Sequence, residues 1–144
     1  MKGSPRKIAL DTSVIVALLS TKDPFNRACC EALKKLPETT SVFTTESCLA
    51  ETSYILPDSP QLRNSLKELL ILLSVGIFPL DQQRLHRVYE LQDKYGDLPM
   101  DFADATLVVA CEQLEIRDIL TLDRKDFSIY RPLHCKALQI HPEL

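Results

Sequence analysis

Apolar residues recur along this chain in two rhythms, and the acids that break them carry most of the information. Short β-type runs cover Lys7 to Leu10, Ser41 to Thr44, Ile77 to Leu80, Ile119 to Leu122 and Lys136 to Ile140. Between them the spacing turns helical. Val14 to Leu19 predicts a helix with Thr12 or Ser13 as its N-cap. Asp23-Pro24 reads as a cap and first turn, after which Phe25, Ala28, Cys29, Ala32, Leu33 and Leu36 keep one face until Pro37. A third helix runs from about Glu46 to Leu56 and stops at Pro57. Ser59-Pro60 opens a leucine-faced helix (Leu62, Leu66, Leu69, Leu70, Leu73) that Gly76 is expected to end. Asp81 caps a helix reaching about Lys94, and Asp101 caps another that carries Leu107, Val108, Cys111 and Leu114. Strands separated by one or two helices imply parallel pairing through crossovers, hence a three-layer α/β/α sandwich of four to five strands.

At 144 residues the chain is expected to form a single domain over 1–144 with a substantial core. Its 45% hydrophobic and 26% charged content is that of an ordinary globular protein. The longest uncharged apolar stretch, Leu69 to Leu80, contains Gly76 and Pro79 and is too short to cross a bilayer, so no membrane association is expected. Met1 to Lys7 is charged but has no apolar segment behind it, because Asp11 cuts the run; no secretory signal is read here. The five cysteines (Cys29, Cys30, Cys48, Cys111, Cys135) are odd in number and lack CxxC spacing. They read as buried free thiols in a reducing cytoplasm. A net charge of −3 argues against a general polyanion binder. It leaves RNA open as a substrate, since an acidic site holds part of that charge and metal ions invert its local potential.

Four acids stand where acids are hard to justify by packing. Asp11 closes the run IALD and Asp123 closes DILTLD, both at strand ends where ligands of open parallel sheets bind. Glu51 shares a helix face with Cys48 and Ile55, and Asp104 has Leu107, Val108 and Cys111 at its i+3, i+4 and i+7 positions. Each has a bland explanation alone: Asp11 as a helix cap, Glu51 snorkelling to solvent, Asp104 as a helix-start acid. Together they do not. Two carboxylates about 4 Å apart repel by about 4 kcal/mol at an effective dielectric of 20, and a domain's whole net stability is about 5–15 kcal/mol. A divalent cation removes the conflict, and oxygen-only ligands select Mg²⁺ or Mn²⁺. That chemistry points to a metal-dependent hydrolase of phosphodiesters. Asp101 is read as a helix cap that supports Asp104. His86, His134 and His141 form no zinc-like pair and read as structural or solvated.

At these residues the chain resembles the PIN domain family, and within it the VapC-like ribonuclease toxins of toxin–antitoxin modules. IALDTSVIVALL resembles the family's opening strand, Asp-Thr-Ser and helix, and TTESCLAETSYIL the helix bearing its glutamate, which falls on Glu51 rather than Glu46. LPMDFADATLVVACEQLEIRDILTLDRKDF resembles the helix with the third acid and the strand ending in the fourth, at Asp104 and Asp123. The resemblance implies a Rossmann-like sheet, a homodimer, and carboxylates (Asp11, Glu51, Asp104, Asp123) that bind Mg²⁺ or Mn²⁺ for internal cleavage of RNA. It also implies a small antitoxin partner whose C-terminal segment covers the acidic groove. Ser13 matches the small hydroxyl residue supporting the metal or its water, and Asp126 is read as structural. Arg124 and Lys125 either meet substrate phosphate or belong to a solvated turn. The leucines from Leu62 to Leu73 either pack on the sheet or join a dimer or antitoxin surface.

Other functions follow from the same residues. A catalytically silent PIN module would use the fold as a binding scaffold, and a solitary RNA-processing nuclease would lack an antitoxin. A haloacid-dehalogenase-type phosphatase needs a second Asp two residues after the first, but Thr12 and Ser13 follow Asp11. A receiver domain needs an acidic pair after the first strand and a phosphorylatable Asp in mid-chain.

Overall fold

The computed structural model describes residues 6–98 and 100–144; Met1 to Pro5, part of the charged N-terminal segment, lie outside the described residues. Five strands form one all-parallel sheet: β1 (Lys7–Leu10), β2 (Ser41–Thr45), β3 (Gly76–Phe78), β4 (Asp118–Leu120) and β5 (Gln139–His141). Their order across the sheet is β3-β2-β1-β4-β5. The chain therefore builds outward from β1 to β3, returns to the middle at β4 and ends on the other edge. The helices are α1 (Thr12–Leu19), α2 (Asn26–Lys34), α3 (Glu46–Ile55), α4 (Pro60–Leu72), α5 (Gln82–Lys94), α6 (Phe102–Leu114) and α7 (Arg124–Ile129). Helix α1 packs against α2, α3 and α4, and α5 packs along α6. Right-handed crossovers place the first group and the second on opposite faces of the sheet, which is the expected three-layer arrangement.

Helix α6 differs from the others in having no solvent side along most of its length. Every residue from Ala103 to Cys111 is buried, and the core around it includes Ile8, Leu10, Ile119 and Leu120 from the central strands. A helix apolar all round lies inside its protein. No described helix is long and apolar enough to cross a membrane.

Several local expectations are corrected. The segment after Asp123, expected as a turn, contains α7, a six-residue helix with Asp123 as its N-cap. Asp23-Pro24 does not start α2; the Asp23 side chain accepts the Phe25 amide at 2.8 Å in a turn, and the helix begins at Asn26. Gly76 does not end α4. Ser74 does so in a left-handed conformation (φ 49°), with its amide and that of Val75 bonding back to Ile71 and Leu70. Gly76 instead starts β3, where an added Cβ would lie 2.8 Å from the Phe43 ring. Strand β3 stops at Phe78 because Pro79 has no amide to offer the ladder.

Candidate metal centre

The switch point of the sheet lies between β1 and β4, where the chain's crossovers diverge and leave a crevice at the strands' carboxyl ends. Asp11 follows β1 there, 4% exposed, its amide donating to the Leu120 carbonyl at 3.0 Å. It stands in the N-cap position of α1, yet its side chain makes no capping bond. Asp11 Oδ2 instead accepts from Thr121 Oγ1 at 2.7 Å and from Ser13 Oγ at 3.0 Å. Both hydroxyls are themselves acceptors of backbone amides, Thr121 from Asp123 at 3.0 Å and Ser13 from Leu122 at 2.9 Å. Each amide occupies a hydroxyl lone pair and leaves the hydroxyl proton for the carboxylate. Burial raises the Asp11 pKa, and these two hydroxyls oppose the rise.

Asp104 enters from the first turn of α6. Its amide donates to Asp101 Oδ1 at 2.7 Å, so Asp101 is the side-chain cap of this helix. Because α6 is buried on all sides, Asp104 cannot turn outward and is 8% exposed. Its Oδ2 accepts from the Tyr130 hydroxyl at 3.1 Å. Burial, then Asp11 and Asp101, push its pKa up to about 8, against the lowering effect of Tyr130.

Helix α7 repeats the arrangement of α6. Asp123 caps it by accepting the Asp126 amide at 3.2 Å, so Asp123 and Asp126 hold the places that Asp101 and Asp104 hold on α6. Both helix starts converge. Oxygen atoms of Asp104, Asp123 and Asp126 lie within 4.8 Å of one another. Asp126, expected to be structural, thus brings its carboxylate into the group. The D-x-x-D spacing shared by 101–104 and 123–126 was its available signal. Burial also raises the Asp123 pKa, against the pull of the Asp126 amide.

Glu51 approaches from the second turn of α3, half-buried, while Glu46 on the same helix is exposed. Its pKa is raised by burial, opposed by the Thr12 hydroxyl, and raised further by Asp101 and Asp11. Asp101 therefore lies among the acids from both sides: it repels Asp11, Glu51, Asp104 and Asp123. The group has two wings, Asp11 and Glu51 on one and Asp104, Asp123 and Asp126 on the other, joined through Asp104 and Asp101.

No lysine, arginine or histidine among the described residues forms an ion pair with any of these carboxylates. Arg124 is drawn away by the Pro142 carbonyl at 2.7 Å. His134 Nε2 donates to the Ile116 carbonyl at 2.6 Å, and His141 joins Asp118 and Arg6. A hard divalent cation fits this donor set: all oxygen, acidic, and gathered without a protein cation beside it. A cavity of about 420 Å³ between α2 and the β5 edge is no rival, because its Arg6 is already paired with Asp118 and its remaining charges (Glu31, Lys35, Glu143) are mixed.

The PIN domain model matches residues 8–131, a span that includes every acid of the converging cluster. The chain belongs to the PIN domain family. Among its PIN relatives, ribonuclease VapC26 of Mycobacterium tuberculosis (strain ATCC 25618 / H37Rv) is 28% identical over 127 residues, covering 86% of this chain and 92% of that one. The crystal structure of Mycobacterium tuberculosis VapC20, described as a Sarcin-Ricin loop cleaving toxin, superposes with a TM-score of 0.73 at 22% identity, covering 90% of this chain and 98% of that one. VapBC-1 from nontypeable Haemophilus influenzae gives 0.65 at 15% identity, with 94% and 96% covered. At these identities the structures show that the PIN fold is shared.

Proposed function

We propose that this PIN domain is a metal-dependent endoribonuclease and the toxin of a toxin–antitoxin pair. The observation that carries the nuclease reading is the convergence of buried carboxylates at the sheet's switch point with no protein cation to neutralise them. Asp11, Glu51, Asp104 and Asp123 are assigned to hold Mg²⁺, or Mn²⁺ in its place, with Asp126 beside them and Ser13 and Asp101 in support. Such an ion polarises the attacked phosphate and lowers the pKa of water. The residues of the chain do the remaining work. Thr121 and Ser13 hold Asp11 in one rotamer. Asp101 fixes the start of α6 and with it Asp104. Of the four assigned ligands, Glu51 and Asp123 are half-buried where Asp11 and Asp104 are buried, and theirs is the side on which an RNA phosphate is proposed to arrive. Lys125, exposed at the start of α7, is the basic side chain proposed to meet that phosphate; Arg124 is committed elsewhere.

The toxin assignment draws on the relatives. One carries the name ribonuclease, one is described as a toxin, and other fold neighbours are VapBC and FitAB assemblies, some bound to DNA. By analogy this chain is assigned an antitoxin partner and a homodimeric state. Its five free thiols support a reducing cytoplasm as the proposed compartment.

The test is cleavage of structured RNA by the purified chain with Mg²⁺. Activity should vanish on chelation and fall roughly 10³-fold in Asp104→Asn, several kcal/mol of transition-state stabilisation at about 1.4 kcal/mol per decade. Cleavage that survives both treatments rules out the metal nuclease. Absence of cleavage in the unaltered chain, with metal bound, favours the silent scaffold.

A further inference from the structure

The Tyr130 side chain does more than packing requires. It is 1% exposed, at the C-cap of α7, and its ring meets the edges of Tyr95 and Phe127, each with centroids 5.2 Å away. A phenylalanine would fill the same space without burying a hydroxyl that needs a partner. The neighbouring Tyr95 gives the contrast: its hydroxyl accepts the Arg131 backbone amide at 2.7 Å, a bond that secures the chain after α7. The Tyr130 hydroxyl instead donates to Asp104 Oδ2. Among the described residues it is the one side-chain donor to that carboxylate, and no donor reaches Oδ1.

We propose that Tyr130 is a positioning residue of the metal centre, its phenol holding one oxygen of Asp104 so that the other is presented to the cation. The inference rests on the reading of Asp104 as a metal ligand. Three features support it. The phenol is fixed by rings on two sides and by the Tyr130 amide bond to the Asp126 carbonyl at 3.2 Å, so it is a rigid donor. A hydrogen bond from a phenol favours the ionised carboxylate, the form a metal binds. It also connects the end of α7 to the start of α6, so one short segment carries Asp123 and Asp126 and orients Asp104 as well.

Titration calorimetry of the full chain with Mn²⁺ tests this. Removing a partner that orients a metal ligand lowers affinity by about 10–100-fold, and Y130F is expected at about 10-fold weaker binding with its melting transition intact. Y95F should bind Mn²⁺ like the unaltered chain, and Y130F in the D104N background should add no further loss. Unchanged Mn²⁺ affinity in Y130F overturns the proposal, as does an equal loss in Y95F, which would assign the effect to a general loosening of the chain around α7. Binding in D104N equal to that of the unaltered chain removes the metal-centre reading itself, a result distinct from either. Should Y130F fail to fold, 3-fluorotyrosine incorporated at position 130 keeps ring and hydroxyl. Its ¹⁹F resonance is expected to move on addition of Mg²⁺ and to stay fixed in D104N; a resonance indifferent to Mg²⁺ sinks the proposal.

Discussion

Helix α6 buries a carboxylate near each end and treats the two in opposite ways. Near its C-terminus, Glu112, with a side chain 6% exposed, receives two parallel bonds from Arg87 of α5, both 2.9 Å, and a third from the Leu133 amide at 2.9 Å. Charge and lone pairs are both satisfied within the protein. At the N-terminus, Asp104 has one phenol and four acidic neighbours. The fold is thus able to supply a bidentate guanidinium to a buried acid, and does so eight residues along the same helix. Where it supplies none, neutralisation is left to a proton or to a cation from outside.

The contrast can be broken at either end. The largest effect is expected from Arg87→Met, which keeps the apolar stem but strands Glu112. It should destabilise the protein by about 2–3 kcal/mol in denaturant titration while leaving Mn²⁺ affinity unchanged. A neutral effect on stability would mean that the pair is solvated and the contrast false. The next concerns pH. The Asp104 pKa rises from 3.8 to about 8 on folding. Between those values the folded chain keeps a proton that the unfolded chain releases, so stability of the metal-free protein falls as pH rises through that window. Its Tm should drop by about 5 °C or more from pH 5 to pH 8. Mg²⁺ should cancel the drop at the alkaline end, and Asp104→Asn should remove most of it. A metal-free Tm that climbs from pH 5 to pH 8 would contradict this account of Asp104. The smallest effect is assigned to Asp126→Asn. Asp126 shares the cluster but is half-buried and is tied through its amide to the Asp123 cap. Cleavage should fall by less than about tenfold. A loss as deep as that of Asp104→Asn would make it a full member of the ligand set.

How much of this was legible depended on how far each signal extends along the chain. Strand β1 and helix α6 were readable because one is an unbroken apolar run and the other keeps its period for several turns. The apolar neighbours of Asp104 mark it as misplaced in the sequence alone. Helix α7 was not read: six residues give too little periodicity, and its sequence RKDFSI has few apolar positions. With the helix went Asp126 and Tyr130, whose partners lie on α6, 22 and 26 residues away. Thr121 was missed for a related reason. A threonine at a strand end looks ordinary until the partner strand places its hydroxyl 2.7 Å from Asp11. Pairwise geometry across elements leaves little trace in local pattern.

The isolation of Asp104 also bears on how such a domain loses its activity over generations. Replacing that acid by a neutral residue takes away a buried charge conflict, so the inactive chain should fold at least as firmly as the active one when no ion is bound. Inactivation is then downhill in stability, whereas most random substitutions are uphill. On the proposed function, selection for cleavage is what would hold the aspartate in place. Where that selection lapses, drift leads towards a well-folded PIN scaffold with an empty reaction centre.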